Sequence, residues 1–184
     1  MKAKWSLPFL TLLLSACGYN TIQSMDETAA AAKQQIEVQL QRRADLVPNL
    51  VETVKGFAAQ EEAIFTEVAQ ARAALSGAVT GGNMTEMANA NQGLTGSLGR
   101  LIAIAEAYPT LKSDQNFLRL QDELTGTENR IAVSRTDYNN AVRDYNAYIR
   151  KFPAVLTAKV TGAKARDYFE VTAAENREAP KVTF

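Results

Sequence analysis

Cys17 is the single cysteine of the 184 residues, and the residues before it define the chemistry that its thiol could undergo. Residues 1–4 carry two lysines, and residues 5–14 form an apolar run too short to span a bilayer, which takes about 20 residues. Leu14-Ser15-Ala16-Cys17 then has the pattern of a lipobox, in which a signal peptidase recognises Leu14, Ser15 and Ala16 and cleaves before an acylated cysteine. We therefore expect residues 1–16 to be a signal peptide. An ordinary secretory cleavage site that happens to contain a cysteine is the alternative.

Acylation of Cys17 would determine the localisation of this protein. Two or three acyl chains, such as palmitate, anchor a protein stably, whereas one chain is marginal. The residue after Cys17 is Gly18, and the absence of aspartate at this position indicates the outer membrane in a Gram-negative host. The expected location is the periplasmic face of a membrane, with membrane lipid as the first partner.

Composition excludes several kinds of chemistry. The sequence contains no histidine and one cysteine, which argues against histidine acid–base catalysis, Cys/His zinc sites and internal disulfides. Without residues 1–16 the chain has 18 basic and 20 acidic side chains, a net charge of −2 with no basic cluster, so we expect no nucleic-acid partner. We likewise expect no metal and no cofactor. The length suits one domain.

The segment from Ser24 to Leu75 has apolar residues at spacings of three or four, which predicts one long amphipathic helix. The stripe consists of Ile36, Leu40, Val47, Leu50, Val54, Phe57, Ile64, Phe65, Val68 and Leu75. Pro48 lies inside it, and proline removes an N–H and clashes with the preceding turn. Because the apolar phase continues across Pro48, we predict a helix kinked there, with two separate helices as the alternative. Ser76-Gly77 and Gly81-Gly82 should end it.

A second helix is predicted to begin at Asn83, which with Glu86 resembles a capping box, and to run to about Ala107. Three glycines weaken its middle, because each costs about 1 kcal/mol relative to alanine in a helix. These glycines are Gly93, Gly96 and Gly99. They indicate either close backbone approach to a neighbouring helix or partner, or a locally broken helix. Tyr108-Pro109 should close the segment.

Between Ser113 and Lys151 apolar residues repeat every seven positions, which predicts a further long helix packed in a left-handed bundle. The repeat consists of Phe117, Leu124, Ile131, Tyr138, Tyr145 and Phe152, with Leu120, Ala141, Val142, Tyr148 and Ile149 as companions. Pro153 should stop this helix, and a short helix is expected near Lys164 to Glu170. The predicted fold is all-α: a long antiparallel up-and-down bundle of three to four long helices, with a short C-terminal helix and tail.

Several short blocks of polar and aromatic residues are spread along the chain. They are Tyr19-Asn20, Arg42-Arg43-Ala44-Asp45-Leu46-Val47-Pro48-Asn49-Leu50-Val51, Glu106-Ala107-Tyr108-Pro109-Thr110-Leu111-Lys112, Thr127-Glu128-Asn129-Arg130-Ile131, Arg135, Tyr138-Asn139, Tyr145-Asn146 and Phe152-Pro153. Together, in this order, they resemble the LemA family. The resemblance implies a long antiparallel helical bundle associated with the cell envelope. Many members of the family have an N-terminal transmembrane helix, and this chain departs from them by its lipobox. Because the family's biochemical role is poorly defined, the resemblance implies no catalytic residues.

The polar residues of these blocks form the candidate functional site. They are Arg43, Asp45, Asn49, Glu128, Arg130, Arg135, Asn139 and Asn146. Glu128 and Arg135 are seven residues apart, two turns along one helix face, and Asn139 and Asn146 repeat this interval on a neighbouring stripe. These groups could form a polar network that fixes helix register, or a binding site for a partner. A catalytic pair of Asp45 and Glu128 is a third possibility, although nothing places a nucleophile beside a base.

Residues 24–170 should form the bundle, between a lipidated membrane-proximal segment of residues 17–23 and a tail of residues 171–184. The leading hypothesis is a non-catalytic scaffold that binds an envelope protein or a second copy of itself. The alternative is a small-molecule or lipid-binding module with a cavity between helices, for which Tyr138, Tyr145, Tyr148 and Phe152 could line a groove unless they pack in the core. The final Val182-Thr183-Phe184 could bind a partner or dock onto the bundle.

Overall fold

The structure is a computed structural model that describes the backbone of residues 6–171 and the side chains from Gly18 onward. Within this part the chain forms six helices and no strand, which confirms the predicted all-α class. The helices are α1 (Ser6–Lys55), α2 (Glu62–Gly81), α3 (Met84–Ala105), α4 (Pro109–Lys112), α5 (Gln115–Tyr148) and α6 (Ala154–Thr161). Among the described residues, no helix is long and apolar enough to cross a bilayer.

α1 continues through Pro48, and the break lies about two turns further on, at residues 56–61. The prediction of one helix to Leu75 is therefore wrong, and so is the placement of Phe57 in the apolar stripe, because Phe57 is 40% exposed. Gly56 directly follows the last residue of α1, and the low helix propensity of glycine lets the backbone leave the helix there at little cost. Ser76-Gly77 lies inside α2 and does not end it, whereas the end predicted at Gly81-Gly82 is confirmed. α2 ends at Gly81, and Gly82 has a φ of 71° and an N–H that bonds to the backbone oxygens of Ala78 and Val79.

α3 begins at the predicted cap: the Asn83 side chain accepts hydrogen bonds from the N–H groups of Thr85 and Glu86. The helix is continuous through its three glycines, so the predicted local break is wrong. The close approach to a neighbouring helix is wrong as well, because a Cβ atom added at Gly93, Gly96 or Gly99 would meet no described atom within 4 Å.

α5 buries the repeat residues Phe117, Leu124, Ile131, Tyr138 and Tyr145, as their spacing predicts. Phe152 lies beyond the end of α5 and is 81% exposed, so its placement in the core is wrong. The short helix predicted near Lys164 to Glu170 is also wrong. The C-terminal helix is α6, which starts directly after Pro153, and residues 163–171 form no helix.

The structure contains two compact units. The first consists of the described residues within Met1–Ile36 together with Val133–Tyr168, and it includes α6. Its core contains Ile22, Tyr145, Ile149 and Ala158. Gly18 lies against α6, because a Cβ atom built on Gly18 would be 3.5 Å from Thr157 Oγ1 and 3.6 Å from Ala154 Cα.

The second unit includes Glu37–Ala132, and α2 and α3 form a helical hairpin within it. An exposed ion pair between Arg100 on α3 and Glu67 on α2 bridges the hairpin. Arg72 on α2 donates from Nε to the backbone oxygen of Ala44 on α1 at 2.9 Å. The unit's core consists of residues such as Leu50, Val68, Leu75, Leu94, Leu101 and Leu111, all of which are fully buried.

Candidate functional site

The second unit buries the guanidinium of Arg43. This residue lies on the apolar side of α1 between Leu40 and Val47 and is 4% exposed. Its Nη1 donates to Asn91 Oδ1 on α3 at 2.5 Å and also lies 2.5 Å from Glu128 Oε2 on α5. One side chain of α1 therefore joins three helices.

Burial governs the electrostatics of this network. Desolvation lowers the pKa of Arg43, and the negative charge of Glu128 opposes that change. Because arginine stays protonated in proteins, the guanidinium remains a buried cation that needs a compensating charge. The Glu128 contact is an ion pair without hydrogen-bond geometry, and within the described part of the chain Arg43 Nε has no hydrogen-bond acceptor.

The other candidate residues of this unit lie outside the network. Asp45 is exposed and accepts a hydrogen bond from Gln41 Nε2 at 2.9 Å, one turn away on α1. Asn49 is exposed, and its backbone oxygen accepts from Thr53 Oγ1. Arg130 is exposed beside Gly126. Of these candidates, Arg43 and Glu128 are the two that the structure brings into contact, and Asp45 does not pair with Glu128.

Asn91 was not identified from the sequence, although it completes the Arg43 network. It occupies a core position of α3, at helical spacing from Met87 and Leu94, which are fully buried. A polar residue on an apolar stripe is the signal that could have found it, because a buried amide needs a hydrogen-bond partner.

The first unit contains a second polar network, which is centred on Arg166. Asn146 on α5 donates from Nδ2 to the Arg166 backbone oxygen and accepts from the Arg166 N–H, both at 2.9 Å. The guanidinium binds Asp26 on α1 in bidentate form, at 2.7 and 2.9 Å. Tyr138 Oη donates to the Asp167 backbone oxygen at 2.7 Å. These bonds hold the segment after α6 against α5 and α1 in a non-helical conformation, so no helix forms at Lys164 to Glu170.

The remaining candidates of this unit lie at different depths on α5. Arg135 is exposed, Asn139 is half-buried, and Asn146 is 7% exposed. The equal spacing of Asn139 and Asn146 therefore does not give them equal environments. Neither Asp26 nor Arg166 was singled out from the sequence, because a single Asp and a single Arg that are 140 residues apart form no local pattern.

The charges of this network shift the pKa values of its members. The hydrogen bond from Arg166 lowers the pKa of Asp26, and the same bond raises the pKa of Arg166. Burial raises the pKa of both Tyr138 and Tyr145. At neutral pH the Asp26–Arg166 pair is charged and the two phenols are protonated.

We expect Asp26→Asn to cost about 0.5–1 kcal/mol of unfolding free energy at pH 7, a modest value because the pair is partly exposed. Since the folded-state pKa of Asp26 is lowered, the stabilisation is complete above the ordinary aspartate pKa of about 3.9. It should be lost as pH falls through the lowered value. Urea unfolding of the variant and the unsubstituted protein, from pH 7 downward, should show their free energies of unfolding becoming equal at acid pH.

The matched control is Asp144→Asn, because Asp144 pairs with its sequence neighbour Arg143 and both side chains are more than 60% exposed. This control should change the free energy of unfolding little at any pH. A difference between Asp26→Asn and the unsubstituted protein that stays constant down to acid pH would contradict the assigned role.

A cleft of about 360 Å³ adjoins the second network. It is lined by Ile22, Gln23, Asp26, Tyr145, Arg166 and the chain from Thr161 to Ala165. Its volume lies within the range of small-molecule sites, which are about 300–1,000 Å³, but such sites are mostly apolar and this one has several charged and amide groups. Tyr138 is in the core and Tyr145 borders the cleft, so the aromatic residues do not form one groove.

The lipidation residue Cys17 and the peptidase-recognition residues Leu14, Ser15 and Ala16 lie within the backbone of α1. Their side chains are outside the described part of the structure, as are most of the tail and Val182-Thr183-Phe184. No cluster of potential metal ligands occurs among the residues that the structure describes.

The fold and these networks define an all-α protein in which buried or half-buried polar side chains join separate segments of the chain. The sequence profile of the LemA family matches residues 32–184, and the chain belongs to the LemA family.

Two curated relatives show the same similarity. The chain is 33% identical over 177 residues to magnetosome protein MamQ 2 of Paramagnetospirillum magneticum. The aligned region covers 83% of this chain and 64% of that relative. The chain is also 33% identical over 184 residues to magnetosome protein MamQ of Magnetospirillum gryphiswaldense, covering 88% and 67%. The chain thus spans about two thirds of the length of these relatives.

Proposed function

We propose that this protein is a non-catalytic scaffold, anchored to a membrane of the cell envelope by lipid on Cys17. Its helices would present a binding surface to an envelope protein or to a second copy of the chain. The lipobox Leu14-Ser15-Ala16-Cys17 is the observation that carries the proposal, because only a thiol at its last position can accept the lipid. In a Gram-negative host, Gly18 favours the periplasmic face of the outer membrane.

The two polar networks support a scaffold over an enzyme. The Arg43 guanidinium contacts Asn91 and Glu128, and the Asp26 carboxylate is bound by Arg166. A general base must reach a proton of the substrate, and a nucleophile must be activated by a neighbouring base. In these networks the charged groups instead bind each other and connect helices, as expected of groups that fix a rigid arrangement.

Lipid attachment is tested by Cys17→Ser. In cells given a radiolabelled fatty acid, we expect the variant to lose the acyl label and to accumulate as unprocessed precursor, because serine lacks the thiol. Ser15→Ala is the matched control: it keeps a small residue at a recognition position and should keep both label and processing. Acyl label retained by Cys17→Ser would refute lipid attachment at this residue.

The scaffold role is tested by photo-crosslinking in cells. Suitable positions are Val38 and Val133, which are 58% and 61% exposed and tolerate an introduced photoreactive residue without loss of core packing. We expect at least one to trap a defined envelope protein or a second copy of the chain. The same residue at Asp144, which is among exposed charges, controls for random collision. Failure to trap any reproducible protein would contradict the scaffold role.

The cleft beside Arg166 favours a second candidate function, a module that binds a small ligand. Its Asp26, Lys164 and Arg166 side chains would suit a polar or charged molecule better than a lipid tail. Saturable binding of such a ligand, abolished when Gln23→Trp fills the cleft, would support this alternative.

A further inference from the structure

α6 exposes its bulky apolar side chains and buries its small ones. Leu156 and Val160, one turn apart on this helix, are 55% and 89% exposed, and Phe152 just before the helix is 81% exposed. The face toward the protein consists of Ala154, Thr157 and Ala158, all buried. A surface helix of a soluble domain normally shows the reverse arrangement, with its larger apolar residues in the core.

The charged residues that flank α6 in the sequence are all basic. Residues 145–166 contain no aspartate or glutamate. They contain five basic residues: Arg150, Lys151, Lys159, Lys164 and Arg166. Arg166 binds Asp26, whereas the other four are exposed. An exposed apolar face flanked by lysine and arginine is typical of a helix that lies in the interface of a membrane with anionic lipids.

The position of α6 in the first unit fits such a contact. Gly18 packs on its buried face, 3.6 Å from Ala154 Cα when a Cβ atom is built on the glycine. Gly18 follows Cys17 directly, and consecutive Cα atoms are about 3.8 Å apart. A lipid on Cys17 would therefore hold α6 close to the headgroups. This tether raises the effective concentration of α6 at the bilayer surface. Tyr19, 45% exposed, is a residue type common at that depth.

We propose that α6 is a second membrane contact, in which Phe152, Leu156 and Val160 enter the interfacial layer of an anionic phospholipid bilayer. Lys151 and Lys159 extend toward the headgroups while their hydrocarbon stems cover the apolar surface. An interfacial helix is buried about 5–10 Å into the boundary of headgroups and acyl chains. Two contacts, the acyl chains and α6, fix the orientation of the first unit on the membrane, which a flexible lipid tether alone does not. The inference rests on the proposed function, because the lipid on Cys17 determines which side of the protein faces the bilayer.

A fluorescent reporter at Val160 tests this contact. The full chain carrying Val160→Cys is expressed in a lipoprotein-processing host, labelled with an environment-sensitive fluorophore and reconstituted into vesicles of phosphatidylethanolamine and phosphatidylglycerol. We expect a blue shift of its emission and strong quenching by nitroxide-bearing lipids. Both effects should shrink in vesicles of phosphatidylcholine alone, because that lipid removes the anionic headgroups.

Val133→Cys is the matched control, since Val133 is an exposed valine of the same unit. Its reporter should show no blue shift and several-fold weaker quenching by lipid-borne nitroxide. The chain without an introduced cysteine should take up no fluorophore, because Cys17 is acylated. Equal emission and equal quenching at positions 160 and 133 would overturn the inference.

Acyl labelling of the same preparations separates this inference from the proposed anchor. Acylated protein with a water-exposed reporter at position 160 overturns the α6 contact alone. Protein without acyl label overturns the anchor, and the α6 contact is then measured with Val160→Cys in a Cys17→Ser chain, in which position 160 has the single thiol: a reporter in lipid supports the contact and a water-exposed one overturns it. Circular dichroism of each variant should match that of the unsubstituted chain, because both valines are exposed.

A second pair of variants tests the contribution of side chains directly. Here the reporter is at position 152, introduced as Phe152→Cys. In this chain the double substitution Leu156→Asn with Val160→Asn should reduce quenching by lipid-borne nitroxide roughly tenfold, or to the level of the Val133 control. Val38→Asn with Val133→Asn removes two equally exposed valines elsewhere and should leave the reporter unchanged. Quenching that survives loss of Leu156 and Val160 would overturn the role of this face.

Discussion

Arg43→Ala should lower the free energy of unfolding by about 3–5 kcal/mol, a large share of the stability of a domain of this size. The substitution removes a buried side chain that packs between Leu40 and Val47 and leaves a cavity among three helices. It also leaves the buried Asn91 amide without its guanidinium partner, and a buried polar group without a partner costs about 1–3 kcal/mol. Urea unfolding followed by circular dichroism measures the loss.

Arg42→Ala is the matched control for Arg43→Ala. Arg42 is the preceding residue of α1, has the same side chain and is exposed. Its replacement removes a solvated charge and should change the free energy of unfolding by no more than about 0.5 kcal/mol. If both variants unfolded at the same urea concentration as the unsubstituted protein, the buried network would contribute nothing to stability.

A double-mutant cycle separates the ion pair from the packing of Arg43. Arg43→Met keeps most of the side-chain volume, and Glu128→Gln keeps the shape of the carboxylate while it removes the charge. Because Glu128 is the anion in contact with a desolvated guanidinium, we expect a coupling free energy of about 1–3 kcal/mol. Additive effects of the two substitutions would show that Glu128 does not compensate the buried charge.

Periodicity predicted the helices well where burial follows one face of a continuous helix. The seven-residue repeat from Phe117 to Tyr145 placed five side chains in the core, and the apolar phase across Pro48 correctly indicated that the helix continues. The same argument failed at Phe57 and Phe152, which continue the spacing beyond the true helix ends. Spacing contains no information on where a helix stops, and a glycine alone does not supply it: α1 ends just before Gly56, whereas α3 is continuous through three glycines.

The polar contacts were predictable only in part, for a reason of sequence distance. Arg43 and Glu128 stood in two blocks with many polar residues, and the structure brings these two together. Asn91 and Arg166 complete the networks from segments with no comparable block. A buried polar side chain needs one well-placed partner, and that partner is set by helix packing rather than by local pattern. The exposed apolar face of α6 was not predicted, because the sequence pattern indicates the C-terminal helix at Lys164 to Glu170 rather than at Ala154–Thr161.

Asn146→Ala should release the segment after α6 and lower the free energy of its local opening by about 2–3 kcal/mol. Asn146 is 7% exposed and makes both hydrogen bonds to the backbone of Arg166. The variant leaves a backbone N–H and a backbone oxygen without these partners. Because 1.4 kcal/mol corresponds to a factor of ten, we expect the Arg166 amide to exchange with solvent deuterium about 30- to 150-fold faster.

Asn140→Ala is the matched control, since Asn140 is an exposed asparagine of the same helix. It should leave the exchange of the Arg166 amide unchanged. The comparison also bears on α6, because the segment held by Asn146 follows α6 directly through Gly162, which ends that helix with a φ of 73°. If Arg166 opens faster in Asn146→Ala, the amides of α6 should lose protection with it, since the helix would then be fixed at one end only. Unchanged exchange at Arg166 would mean that the Asp26–Arg166 pair and Tyr138 hold the segment without Asn146.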